Sequence, residues 1–158
     1  MLKTAQSPVT LELPGLIRPS VRTSGRLLLA VCGLLCLVYA VSLLLPAYGQ
    51  FQSTMRGYET FLSALFFGAS SGFLTWIYSL FMTGWVANPV FWAGTLLLMR
   101  GRLAGATILG VAASLLAIES ARFASSVEAP LLPGYYVWLC SMGGLAMASL
   151  LSWHLRRS

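Results

Sequence analysis

The side chains able to do chemistry in this chain of 158 residues are few and scattered. Cys32 and Cys36 stand four apart and would share one helix face, a spacing compatible with a soft metal ion. No third ligand lies near them, so two small apolar packing residues are the better reading. His154 is the only histidine. It stands beside Arg156 and Arg157, and haem or metal sites draw on more ligands or on a buried axial position. Glu59 and Glu119 are the acids nearest the apolar runs. Both fall at run ends, away from mid-membrane depth, where an ionised group costs roughly 2.5 to 3.5 kcal/mol and so signals function.

Aspartate is absent. No nucleophile with a base, carboxylate pair, metal cluster or phosphate loop can be assembled from what is present. The sequence therefore predicts a protein that is not an enzyme and uses no cofactor or metal. The lack of ionisable side chains in mid-span also argues against an ion-coupled transporter. One chemical alternative is a pigment or quinone pocket lined by Trp76, Trp85 and Trp92. Most of the five Trp and six Tyr, however, lie towards run ends, where interfacial anchoring accounts for them.

The elements that must position these residues are apolar. Hydrophobic residues make up 58% of the chain and charged ones 9%, too few to cover a core in water, which identifies lipid as the solvent. The formal charge of +6 comes from Lys and Arg at the flanks of apolar runs, a pattern of membrane orientation and not a nucleic-acid stripe. Arg18, Arg22 and Arg26 can also touch anionic headgroups, each worth roughly 1 kcal/mol near the surface.

Residues 1–25, with Pro8, Pro14 and Pro19, read as a polar tail, and residues 26–158 as one transmembrane helical domain. The first span is expected over 27–45, between Arg26 and Pro46, and is too long and too far from the start for a cleaved signal. Residues 46–60 read as a polar connection. Phe61 to Met99 then runs for thirty-nine residues without Asp, Glu, Lys, Arg or His. As one helix it would measure roughly 58 Å, about twice the hydrocarbon thickness. Either one crossing over 61–85 is broken at Asn88-Pro89 and followed by a short embedded helix over 89–99, or a turn near Ser79 to Thr83 separates two crossings. Further spans are expected over 103–118 and 131–153, the latter with Pro133 in its first turn.

Short cytoplasmic loops collect Lys and Arg, which arbitrates between the two. With four spans, Lys3, Arg18, Arg22, Arg26, Arg100, Arg102, Arg156 and Arg157 are inside and only Arg56 and Arg122 outside; with five, the split is even. The expectation is an all-α helical bundle of four transmembrane helices with a broken second segment and both termini cytoplasmic, five spans being the alternative. No internal repeat supports an inverted-repeat transporter plan.

Small residues recur four apart at Gly68 and Gly72, Gly101 and Gly105, Gly110 and Ser114, and Gly144 and Ala148. Such pairs let another backbone approach closely, either within the bundle or from a partner. Arg56-Gly57-Tyr58-Glu59, the Trp85-to-Pro89 break and the Pro133-to-Trp138 span start carry a resemblance to uncharacterised small multi-span bacterial inner-membrane proteins. The resemblance implies an inner-membrane location without an assigned activity. The reading that follows is a non-catalytic accessory or assembly subunit of a larger membrane complex, partnered by the bilayer and by other membrane subunits or itself. The alternative is a small oligomeric channel or transporter constricted at the helix break.

Overall fold

Nineteen uncharged residues after Arg26 leave α1 (Val21–Leu44) nothing to end it before Leu45-Pro46, where proline biases the preceding residue away from helix. The computed structural model describes residues 21–50, 53–67, 84–126 and 128–157. After α1 these form the strands β1 (Pro46–Gln50) and β2 (Ser53–Arg56), then the helices α2 (Gly57–Phe67), α3 (Ala87–Met99), α4 (Leu103–Ser126) and α5 (Pro133–Arg157). The described fold is mostly helical, and α1, α4 and α5 are long and apolar enough to cross a membrane. α3, at 13 residues, measures about 20 Å against roughly 30 Å of hydrocarbon.

Several boundaries differ from the sequence reading. α1 begins at Val21, inside the expected tail. α4 does not stop at Ile118 but continues to Ser126. No Gly or Pro interrupts residues 118–126, Ser120 and Ala124 continue the buried face, and Glu119 pairs with Arg122 on the exposed side at 2.9 Å. α4 ends with the Glu128 backbone in the left-handed region, φ 55°, while Ala129 N donates to Ala124 O at 2.9 Å. This is the helix-closing arrangement in which glycine is the usual occupant of the left-handed position.

The connection over 46–60 is not irregular. β1 and β2 pair antiparallel, Tyr48 opposite Met55 and Gly49 opposite Thr54, with an irregularity between Pro46 and Tyr48. The Ala129–Leu132 stretch flanks β1 on its other side: Gly49 N donates to Pro130 O at 3.0 Å and Leu132 N to Ala47 O at 2.9 Å. The purely α expectation is corrected by this small β element, which lies across one end of the helices.

The helices pack through small residues, as expected where lipid removes the hydrophobic drive between helices and close van der Waals contact must do the holding. A Cβ on Gly110 would stand 2.7 Å from Ala146 N; one on Gly94 would stand 2.7 Å from a Leu145 methyl. Gly105 faces Leu97, and Gly144 faces Leu35. Ala148 packs against the buried cluster around Phe91, Met142 and Leu145. Ser114 returns its hydroxyl to Gly110 O at 2.8 Å. These small residues therefore serve contacts within the chain. Gly68 and Gly72 lie outside the described residues.

Contacts along the helices fix their relative directions. Leu35 of α1 meets Gly144 of α5, while Leu45 meets Gly134, so α1 and α5 are antiparallel. Gly57 packs on Leu43, placing the start of α2 at the hairpin end; Gly101 packs on the Arg156 guanidinium, placing the end of α3 at the opposite end. The expected crossing over 61–85 is corrected here. One continuous helix would separate Phe61 from Trp85 by roughly 36 Å, yet their rings stack with centroids 5.5 Å apart. Both residues lie at the hairpin end, and the leg running from there to the Arg100 turn is α3. The turn near Ser79 to Thr83 on which the two-crossing alternative depends lies outside the described residues.

Candidate functional site

Asn88-Pro89 does not break a helix; it starts one. The turn is made earlier by Gly84, whose φ of +72° suits glycine and whose Cα approaches Ser120 so closely that a Cβ would lie 2.8 Å from that side chain. Pro89 then falls in the first turn of α3, where its missing N–H would have had no intrahelical partner. Asn88 Nδ2 donates to Trp85 O at 3.1 Å, and Asn88 Oδ1 accepts from Tyr39 Oη at 3.0 Å and from Trp138 Nε1 at 2.9 Å. One buried amide thereby ties α1, α3 and α5 together. Tyr39, 4% exposed, also stacks on Phe91 at 5.1 Å.

A cavity of about 50 Å³ opens beside this junction. Among the described residues its walls are Ser42, Leu43, Ala47, Tyr48, Gly57, Thr60, Phe61, Trp85, Asn88, Gly134, Tyr135 and Trp138. The end of α1, the hairpin, and the starts of α2, α3 and α5 converge there. Tyr135 packs on Tyr48 and on Trp138, each with centroids 5.8 Å apart, and donates its hydroxyl to Ala117 O. Tyr48 Oη meets Ser120 Oγ at 3.5 Å. Burial pushes the Tyr48 phenol up to about 12, against a smaller lowering by the Ser120 contact, so it is a neutral wall group at any physiological pH. Ser42 returns its hydroxyl to Tyr39 O and Thr60 its own to Arg56 O. Trp85 Nε1 is buried without a hydrogen-bond partner.

None of the wall side chains among the described residues carries a charge, so the cavity suits a neutral, apolar guest. Glu59 lies nearby but outside it. The Arg56 N–H donates to Glu59 Oε2 at 2.8 Å and Tyr58 Oη to Oε1 at 3.1 Å, which holds the carboxyl below its ordinary value and caps the start of α2.

The remaining candidates are dispersed. Cys32 is buried, Cys36 half-buried and Cys140 exposed, and the described residues contain no group of three His, Cys, Asp or Glu able to hold a metal ion. His154 is exposed in the last turns of α5. Arg100, Arg102 and Arg156 gather at the end opposite the hairpin, with Arg26 exposed near the start of α1. Arg22 begins α1 and Arg157 ends α5; Arg18 lies outside the described residues, as does Trp76. Of the aromatic trio suggested by sequence, Trp85 lines the cavity while Trp92 is exposed and packs edge-on to Tyr39. Tyr39, Tyr135 and Trp138 are structural members of the site that sequence reasoning assigned to interfacial anchoring. Tyr39, far from either end of its apolar run, was the available signal. No protein-family model, curated protein or solved structure matches the chain.

Proposed function

We propose that the protein is a non-catalytic polytopic subunit of a bacterial inner membrane that assembles with other membrane proteins. α1, α3, α4 and α5 are its four legs, and both termini are cytoplasmic. The observation that carries the reading is the division of labour between faces. Polar groups inside are spent on joining helices, Asn88 to Tyr39 and Trp138 and Thr107 Oγ1 to Ser149 Oγ at 2.9 Å. The outward faces, by contrast, are aliphatic, with Leu34 and Leu37 on α1, Ile108 and Leu115 on α4, and Leu151 and Leu155 on α5 all more than half exposed. Such faces suit acyl chains and other apolar helices equally.

Orientation rests on charge. Arg26, Arg100, Arg102 and Arg156 lie at one end, and Glu59, Glu119 and Glu128 with Arg56 and Arg122 at the other, a distribution that supports a cytoplasmic arginine end. The short α3 completes its crossing with the Gly84–Val86 turn above it and the Arg100–Arg102 turn below.

The test is extraction of the full chain in a mild detergent followed by native mass measurement. A stoichiometric complex with one or more different membrane chains is expected. A monomer, or a symmetric assembly of this chain alone, overturns the reading; the symmetric outcome favours an oligomeric channel.

A further inference from the structure

We propose that the hairpin-end cavity is a binding site for a neutral apolar molecule bearing a carbonyl oxygen, the chemistry shared by a quinone ring and a lipid acyl ester, with Trp85 Nε1 donating to that oxygen. The cavity, of about 50 Å³ and open on one side, seats the ring or ester end of a guest whose remainder lies outside it, and like small-molecule sites in general it is mostly apolar with few convergent polar groups. Its aromatic walls, Phe61, Trp85 and Tyr135 among them, offer flat surfaces against which a ring or an ester-bearing chain packs.

The polar groups in the walls select the guest. Trp138 Nε1, Ser42, Thr60 and Tyr135 already donate to protein acceptors. Trp85 Nε1 does not, and a buried donor without a partner calls for an explanation, because nearly all such groups are paired. Indole is a donor only, so the guest must bring an acceptor. With no charged side chain in the walls among the described residues, an anionic or cationic guest would lose hydration without return. A carbonyl on an apolar body meets both conditions. The site lies beside the end of α1 and the start of α5, which in the orientation proposed above is the level of the lipid ester groups.

Indole N–H resonances of the full chain in micelles test this directly, with ubiquinone-1 and a short-chain diacylglycerol as separate probes. Either probe is expected to move the Trp85 indole signal downfield with saturation. The signal of Trp92, which is exposed and outside the walls, should stay in place, and the Trp138 signal, held by Asn88, should remain a single sharp resonance that reports the intact junction. Response to the quinone alone identifies that source, and response to the diacylglycerol alone identifies the lipid. Retention of a one-to-one adduct in native mass spectrometry should fall at least tenfold in Trp85→Phe, and Thr60→Phe, which fills the cavity and leaves the indole, should abolish the shift. The proposal is overturned if neither probe moves the Trp85 signal, or if Trp85→Phe retains the adduct as wild type does with the Trp92 signal unchanged. These outcomes do not depend on whether the chain has protein partners.

Discussion

The two ends of the helices solve the same problem in opposite ways. At the arginine end α3 closes with main chain alone: Gly101, φ +72°, allows Arg102 N to reach Leu97 O and Gly101 N to reach Leu98 O, both at 2.9 Å. The freed carbonyls are satisfied within six residues, and the charged side chains reach outward to water. At the hairpin end, Gly84 turns the chain inward, and the groups this exposes are satisfied by distant residues: Asn88 by Tyr39 and Trp138, Tyr48 by Ser120, Tyr135 by Ala117. An end closed locally needs no distant partner, whereas the end closed through long-range contacts between aromatics holds the cavity.

The middle of the molecule holds both ends in register, so the largest effect is expected there. Gly110→Leu would force α4 from Ala146 of α5, an overpacking cost of about 3 kcal/mol, and the thermal transition of the purified protein should fall sharply or disappear. Asn88→Leu should act at the hairpin end alone. It leaves the Tyr39 hydroxyl and the Trp138 N–H unpaired, a loss of about 2 kcal/mol given roughly 1 kcal/mol for each hydrogen bond in a membrane interior. Cysteine cross-linking between residues 101 and 156 should be unaffected by it.

Closure of α4 offers a gain instead. Glu128 holds a left-handed conformation that costs a residue with a side chain roughly 1 kcal/mol, so Glu128→Gly should raise the unfolding midpoint by a few degrees. The smallest effect concerns pH. The folded state holds the Tyr48 phenol neutral, its value raised from 10 to about 12. The stabilisation this reports is complete below pH 10 and lost as pH rises towards 12. A phenolate absorbance titration should show a late fraction that ionises after the exposed tyrosines, and Tyr48→Phe should reduce that fraction by one tyrosine.

What the sequence made legible follows from the range of the interactions. Apolar runs bounded by Arg26 and Pro46, or opened by Pro133, announce helices because their signals are local. The extension of α4 through Glu119 and Arg122 was hidden because charge was read as a terminus, although an ion pair three residues apart is at home on an exposed helix face. The hairpin was missed because Tyr48-Gly49-Gln50 lacks a run of strand formers and is held largely by Pro130 and Leu132, some eighty residues away. The cavity was half visible: Trp85 and the Asn88-Pro89 pair stood out, but the stacking of Trp85 on Phe61 is a tertiary event that no local pattern encodes.

The contrast between the ends, and the orientation it implies, is tested most directly by site-specific labelling. With Cys32, Cys36 and Cys140 replaced by alanine, single cysteines at Thr54 on the hairpin and at Arg102 would be exposed to a membrane-impermeant maleimide in spheroplasts. The account predicts immediate labelling of Thr54→Cys, and labelling of Arg102→Cys only after the membrane is permeabilised. Labelling of both from the same side, or the reverse pattern, would contradict it.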